Sequence, residues 1–276
     1  MQAGNAETTP LRLLHIAPFI WRTLPGQTFS FKPLSSHRRS IMRIAVITFT
    51  YNEKFNLPLW VDYYGSQFGR ENLFVVDRGS DDGSVDKLDT VNLLRVPRKE
   101  FDEFDKTNFL GAFQNSLLSF YDLVIVTDCD ELLIADPSIA PSLRELLTVM
   151  PGDYGSAIGL DLIHLIDEEP PIDASRTLLS QRSFARFSSP ECKCLVSKVP
   201  LKWLPGLHSC DRQPMFLGGL YIIHTKMVDF FWATARQKIN LETTWSKRSV
   251  AANFGAHHRY SLKEFVHQSL DRKSVV

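Results

Sequence analysis

The 276-residue chain has no run of about 18 or more apolar residues, so no transmembrane helix is expected. It has only four cysteines, Cys129, Cys192, Cys194 and Cys210, at spacings that suit neither a disulfide framework nor a zinc site. Cys192-x-Cys194 is not a C-x-x-C pair, and all four are read as reduced thiols of a cytoplasmic protein. Net charge is also missing. The 31 Lys and Arg balance the 31 Asp and Glu, and the pI is near 7.1. A broad nucleic-acid surface would need a basic excess, so no nucleic-acid partner is expected. There is no internal repeat and no long low-complexity tract.

What is present is ordinary globular material, 44% hydrophobic and 22% charged, in a length that suits one main α/β domain with irregular additions. Residues 1–41 are rich in Thr, Ser, Pro and Arg without a period, and read as a disordered tail outside the fold. Leu11 to Trp21 is apolar but interrupted by Arg12, His15 and Pro18, so it is taken as neither signal peptide nor anchor. Met42 directly precedes the first convincing strand and is an alternative start to Met1.

Strand and helix patterns alternate from there. Arg43–Phe49, Asn72–Asp77, Val91–Val96 and Leu123–Thr127 read as strands, with a helix over Asn56–Phe68 and another over Phe101–Phe120. In the second helix Phe104, Phe109, Phe113 and Leu117 form a stripe expected to pack into the core. Further on, the patterns predict a helix at Ser142–Val149, strands at Gly155–Ile163 and Leu217–His224, and irregular strand structure over Thr177–Val199. An amphipathic helix at Val228–Thr244 and a short helix after Tyr260 complete them. Alternation of this kind predicts a mostly parallel, nucleotide-binding sheet flanked by helices, with a smaller irregular region in the second half.

The chemistry gathers at strand ends. Leu123-Val-Ile-Val-Thr127 reads as a central strand covered on both faces, and it runs into Asp128-x-Asp130-Glu131. Open α/β sheets bind ligands at the carboxyl ends of their strands, and clustered carboxylates there suit a hard divalent cation shared with substrate phosphates. The loops after the first two strands add Thr50, Asn52 and Glu53, then Asp77, Arg78, Asp81 and Asp82. For Asn52 and Glu53 an ordinary helix N-terminal cap is an equal alternative.

Thr50-Tyr-Asn-Glu53, Val76-Asp-Arg-Gly-Ser-Asp-Asp-Gly-Ser84 and Thr127-Asp-Cys-Asp-Glu131, in that order, resemble the family 2 glycosyltransferases of GT-A fold, in the bacterial branch whose D-x-D continues as D-x-D-E. Gly206-Leu-His208 and Ile223-His-Thr-Lys226 resemble downstream features of that branch. The resemblance implies a GT-A domain over 42–245, followed by a helical or irregular extension over 246–276. It implies an inverting, metal-dependent transfer from a nucleotide-diphosphate sugar, UDP-sugars being favoured, to a glycan or lipid-linked hydroxyl acceptor. Peripheral association with a membrane is compatible with that. The cofactor is Mn²⁺ or Mg²⁺, held by Asp128, Asp130 and His224, with His208 as the second choice of histidine. Thr50, Asn52, Glu53, Asp77, Arg78, Asp81, Asp128 and Lys226 would contact the nucleotide and its phosphates. The position of Arg78 is commonly Asp or Asn in that family, and an arginine cannot accept a hydrogen bond from a base. Asp161, Asp167, Glu168 and Glu169 are candidates for the base that deprotonates the acceptor, and Glu131 is a supporting carboxylate. Lys198, Lys202, Arg212 and Arg236 add basic character to the second half, and Trp203, Trp232 and Trp245 are either sugar-stacking or core residues.

Two alternatives use the same sheet. A sugar-nucleotide nucleotidyltransferase would carry a Gly-rich, basic loop after the first strand, whereas Thr48-Phe-Thr-Tyr-Asn-Glu53 has no glycine. An inactive nucleotide- or glycan-binding protein would leave the Asp128/Asp130 pair without a role.

Overall fold

A computed structural model describes residues 42–270. The expected tail over 1–41 and residues 271–276 of the C-terminal extension lie outside the described residues. The described chain forms one sheet with helices packed on it. Its strands are β1 (Ile44–Thr50), β2 (Leu73–Asp77), β3 (Asn92–Arg95), β4 (Leu123–Val126), β5 (Glu131–Ala135), β6 (Tyr154–Ile163), β7 (Phe184–Phe187), β8 (Cys194–Ser197) and β9 (Phe216–His224). Their spatial order is β3-β2-β1-β4-β8-β6-β9-β5, with β7 paired to β6. The α/β class expected from the alternating pattern is the one observed.

The two sides of the sheet are built differently. From β3 to β4 every pairing is parallel. Beyond β4, β8 runs antiparallel to β4 and β6, β5 antiparallel to β9, and β7 antiparallel to β6, while β6 and β9 are parallel to each other. β1 and β4 are apolar on both faces because helices cover them, and the side chains of Ile47, Leu123, Ile125 and Val126 are fully buried.

Helix α1 (Asn56–Phe68) occupies the span read from its periodicity. Leu57, Trp60, Val61, Tyr64 and Phe68 recur at helical spacing and form its buried face. Two of these side chains also fix the strand ends beneath them. Trp60 Nε1 donates to Thr127 Oγ1 at 2.8 Å, and Tyr64 Oη donates to the Glu131 carbonyl at 3.1 Å while accepting from Leu133 N at 2.8 Å. The aromatic face of α1 thus holds both ends of the Asp128–Asp130 turn.

Helix α2 (Glu103–Leu117) follows its expected packing only in its C-terminal part. Its buried residues are Glu103, Lys106, Thr107, Leu110, Gln114 and Leu117. Phe104, Phe109 and Phe113 lie to the side, half-buried, with Phe113 edge-on to Phe74 at 5.7 Å and Phe104 edge-on to Phe254 at 5.4 Å. Leu117 belongs to the core and Phe109 and Phe113 pack against it, as the stripe predicts, whereas Phe104 does not, because the N-terminal half of this helix borders a charged cavity and polar side chains take its inner face. Asp102 caps the helix through Asp105 N at 3.0 Å and accepts from Ser246 Oγ and Arg248, while Ser249 Oγ accepts from Glu103 N at 3.0 Å.

Strand β5 was not among the strands read from the sequence, which assigned no element directly after Glu131. It is a strand whose first residue, Glu131, stands opposite His224 on β9. Helices α3 (Leu143–Thr148), α4 (Phe230–Glu242), α5 (Lys247–Ala251) and α6 (Leu262–Leu270) complete the fold. Among the described residues no helix is long and apolar enough to cross a membrane.

Candidate active site

A cavity of about 940 Å³ opens at the carboxyl ends of β1, β4, β6 and β9. Thr50, Asn52, Glu53, Arg78, Asp82, Lys106, Asp128, Asp130, Glu131, Asp161, Glu191, Lys193, His208, His224, Lys226 and Arg236 all line it. Three loops that are distant in sequence therefore converge on one space. Asp77, Asp81 and Asp167 do not line it. Asp77 is fully buried beneath the second loop, where Oδ1 accepts from Ser80 N at 2.9 Å and Oδ2 lies 3.7 Å from Arg95 Nε. Asp81 is exposed and pairs with Arg98 at 3.2 Å. Asp167 sits on an exposed turn.

Asn52 joins the first two loops rather than capping α1, whose N-cap is Phe55 without a side-chain hydrogen bond. With a left-handed φ of 52°, which asparagine tolerates, it exchanges hydrogen bonds with Asp81: Asn52 Nδ2 donates to Oδ1 at 2.8 Å, and Asp81 N donates to Asn52 Oδ1 at 2.9 Å. Glu53 faces Arg236 Nε at 2.9 Å, and burial pushes its carboxyl up to about 7 against the pull of that guanidinium. Arg78 is buried, with its guanidinium 4.8 Å from the ring centroids of both Tyr51 and Phe101, and it donates to the Lys99 carbonyl at 3.1 Å.

The D-x-D turn splits its two carboxylates between different partners. Asp128 Oδ1 accepts from Lys106 Nζ at 2.7 Å, and Asp128 Oδ2 lies 3.8 Å from Lys193 Nζ. Asp130 Oδ2 instead faces His224 Nε2 at 3.4 Å. The other ring nitrogen of His224, Nδ1, is 2.8 Å from Asp161 Oδ1, and Asp161 Oδ2 accepts from Arg186 Nη2 at 2.9 Å. Within the expected set Asp128, Asp130 and His224, Lys106 and Lys193 hold Asp128, and Asp130 meets the histidine. Among the described residues no group of three or more His, Cys, Asp or Glu side chains forms a ready-made metal cage.

Lys193 is the hub of the charged floor. Its ammonium contacts Glu131, lies 3.0 Å from Glu191 Oε2 and also faces Asp128. Burial opposes its charge, but three carboxylates outweigh burial and raise its pKa far above the ordinary lysine value. Burial raises Glu131 to about 7 despite Lys193. Asp130 is held well below the usual carboxylate range: burial opposes this, and His224 and then Lys226 outweigh it. Lys226 makes no hydrogen bond or salt bridge among the described residues, and burial lowers its pKa against the pull of Asp130. His208 reaches the cavity because Gly206 turns the chain at φ 77°, where a Cβ would lie 2.6 Å from the His208 ring. Its Nδ1 is 2.6 Å from the Pro190 carbonyl.

Of the three tryptophans, Trp203 is a core residue and donates to the Cys194 carbonyl at 2.8 Å. Trp232 and Trp245 line the cavity, Trp232 stacked on Phe55 at 4.9 Å. All four cysteines are free thiols.

Lys106, Glu191, Lys193 and Arg186 are among the charged cavity residues that the sequence reading did not single out. For two of them a signal existed: Lys193 is a lone cation entering the apolar run Cys194-Leu-Val-Ser197, and Lys106 lies between two phenylalanines of an otherwise apolar-striped helix. A charge placed in such a setting has to find a buried partner.

No known protein family matches the chain, and no curated protein is similar to it. Among solved structures it is similar to a mannosyltransferase from Pyrobaculum calidifontis in complex with GDP-Man and Mn²⁺, at 19% identity and a TM-score of 0.29, over 55% of this chain and 41% of that one. It is also similar to glucosyl-3-phosphoglycerate synthase from Mycobacterium tuberculosis in complex with Mn²⁺, UDP and phosphoglyceric acid, at 18% identity and a TM-score of 0.29, over 46% of this chain and 45% of that one. A third is mannose-1-phosphate geranyltransferase from Thermus thermophilus, at 11% identity and a TM-score of 0.29, over 82% of this chain and 65% of that one. The chain spans less than half the length of the first two. What the cavity can do is read from its own side chains.

Proposed function

We propose that this protein is a metal-dependent glycosyltransferase that moves a sugar, with inversion, from a nucleoside-diphosphate sugar to a hydroxyl acceptor of a glycan or lipid-linked precursor. The observation that carries this reading is the pairing of Asp130 Oδ2 with His224 Nε2 at 3.4 Å, at the end of a fully buried strand and inside a cavity of about 940 Å³. A carboxylate and an imidazole that face each other suit Mn²⁺ or Mg²⁺, and two protein donors leave positions for water and diphosphate oxygens. A bound cation would stabilise the charge that develops on the diphosphate leaving group.

The other side chains fit the same reading. Lys226, unpaired among the described residues, faces the space where a diphosphate would lie and can meet its oxygens. Lys106 and Lys193 hold Asp128 and Glu131 as a rigid floor, which keeps the turn in place during binding. Asn52 and Arg78, on the joined first and second loops, border the part of the cavity left for the nucleoside. Asp161 is a poor proton acceptor in this arrangement. Burial opposes ionisation, but the hydrogen bonds from His224 and Arg186 bring its pKa down to about 2. A nucleotidyltransferase reading has no comparable support, because the loop after β1 carries no glycine to cradle a triphosphate.

Incubation with UDP-, GDP- and TDP-sugars, with and without Mn²⁺, tests the proposal through nucleotide release. Metal-stimulated release with at least one donor is expected, and Asp130→Ala should reduce it about 100-fold or more at an unchanged unfolding midpoint. Failure of every donor to give metal-stimulated release overturns the proposal.

A further inference from the structure

We infer that Asp161 is a positioning residue which, backed by Arg186, fixes the ring of His224 so that Nε2 is the nitrogen turned towards Asp130. The inference rests on the proposed use of Asp130 and His224 as the donors of a divalent cation. Its basis is the register of the sheet. Arg186 on β7 stands opposite Asp161 on β6, Asp161 is in register with His224 on β9, and His224 is opposite Glu131 on β5. One rung thus crosses four strands, about 4.8 Å apart from one strand to the next.

Hydrogen bonds run along this rung. Arg186 Nη2 donates to Asp161 Oδ2 at 2.9 Å, which pins one end of the carboxylate. The other oxygen, Oδ1, is 2.8 Å from His224 Nδ1. Glu191 Oε1 also approaches Nδ1 but stays at 3.9 Å, too far for a hydrogen bond. A carboxylate can only accept, so Nδ1 carries the proton and donates it. A cation binding at Nε2, the atom facing Asp130, takes the place of the proton there, and Nδ1 then keeps the single N–H of the neutral ring, donated to Asp161. A carboxylate behind a metal-binding histidine settles tautomer and ring orientation together. Because Asp161 and His224 are both strand residues, the backbone ladder fixes the geometry before any ligand arrives.

The test is the Mn²⁺ affinity of the full chain, measured by titration calorimetry in the presence of UDP or GDP. Asp161→Asn should weaken Mn²⁺ binding about 10- to 100-fold, with the unfolding midpoint and metal-free nucleotide binding unchanged. His224→Gln should weaken it as well, and adding Asp161→Asn to that variant should cost nothing more, because Asp161 acts through the ring. Arg186→Gln removes the outer link, should weaken Mn²⁺ binding about 3-fold, and serves if Asp161→Asn does not fold. Unchanged Mn²⁺ affinity in both the Asp161 and Arg186 variants, or losses that multiply in the double variant, overturns the inference alone. A wild-type chain that binds no Mn²⁺ with either nucleotide overturns the metal-dependent reading as well.

Discussion

In the half of the sheet formed by β3, β2, β1 and β4, the inner strands are apolar and the chemistry lies in the loops beyond their ends. In the half formed by β8, β6, β9, β5 and β7, charged side chains sit on the strands themselves: Asp161, Arg186, His224 and Glu131. The difference follows from strand direction. Parallel strands linked by crossovers all end at one edge, so only their loops meet the ligand space. An antiparallel strand begins where its neighbour ends. Glu131, the first residue of β5, therefore meets His224, the last residue of β9, and two in-strand side chains reach the same edge. The parallel half supplies a scaffold and loops, whereas the mixed half places charges in register.

The largest expected effect tests this contrast directly. Lys193→Met removes the ammonium shared by Glu131, Glu191 and Asp128 and leaves buried carboxylates without compensation, so unfolding stability should fall by about 3–5 kcal/mol. In the apolar half, Ile47→Val should cost only about 0.5–1.5 kcal/mol in the same denaturant titration. Equal losses at the two sites would abolish the distinction. An intermediate effect is expected where the halves are joined. Trp60→Phe strands Thr127 Oγ1 without its donor and should cost about 1–3 kcal/mol.

The smallest effect at neutral pH concerns Asp102, which tethers the segment after Trp245 to α2. Hydrogen bonds from Arg248 and Ser246 hold its pKa far below the ordinary 3.8, outweighing burial. A depressed carboxylate contributes stability that is fully present above the unfolded value and is lost as pH falls below it towards the folded value. Asp102→Asn should therefore destabilise the protein above pH 3.8 and have progressively less effect below it, as read from acid unfolding curves. A variant curve parallel to wild type from neutral pH to below 3.8 would show that the tether has no such role.

Much of the parallel half was legible because each signal there is local. The apolar runs of β1 and β4, the helical spacing of Leu57, Trp60 and Tyr64, and the carboxylates after Thr127 all declare themselves within a few residues. Local reasoning named Asp130, while His224 and Asp161 entered only through the family resemblance, and their mutual roles stayed open. Strand β5 stayed hidden because its five residues, Glu131–Ala135, start directly from the acidic turn, and their partner lies about 90 residues away on β9. Lys106 and Lys193 were missed for a related reason. A buried lysine is explained by its carboxylates, and apart from Glu191 those lie far away in the chain, at Asp128 and Glu131. The Phe104–Leu117 stripe was legible in its C-terminal part, where Phe109, Phe113 and Leu117 meet the core, and failed at Phe104, where the helix turns charged side chains to the cavity.

The tether at Asp102 also bears on the order in which the chain can be completed during synthesis. The partners of Asp102 are Ser246 and Arg248, 144 and 146 positions further on, and Ser249 holds Glu103 across 146 positions. Helix α2 carries Lys106 to Asp128, and its N-terminal turn acquires these three partners only after residue 249 has emerged. All nine strands end by His224, so every strand of the sheet has emerged before the residues that anchor the first turn of α2, and a chain that stalls short of α5 would lack that anchor.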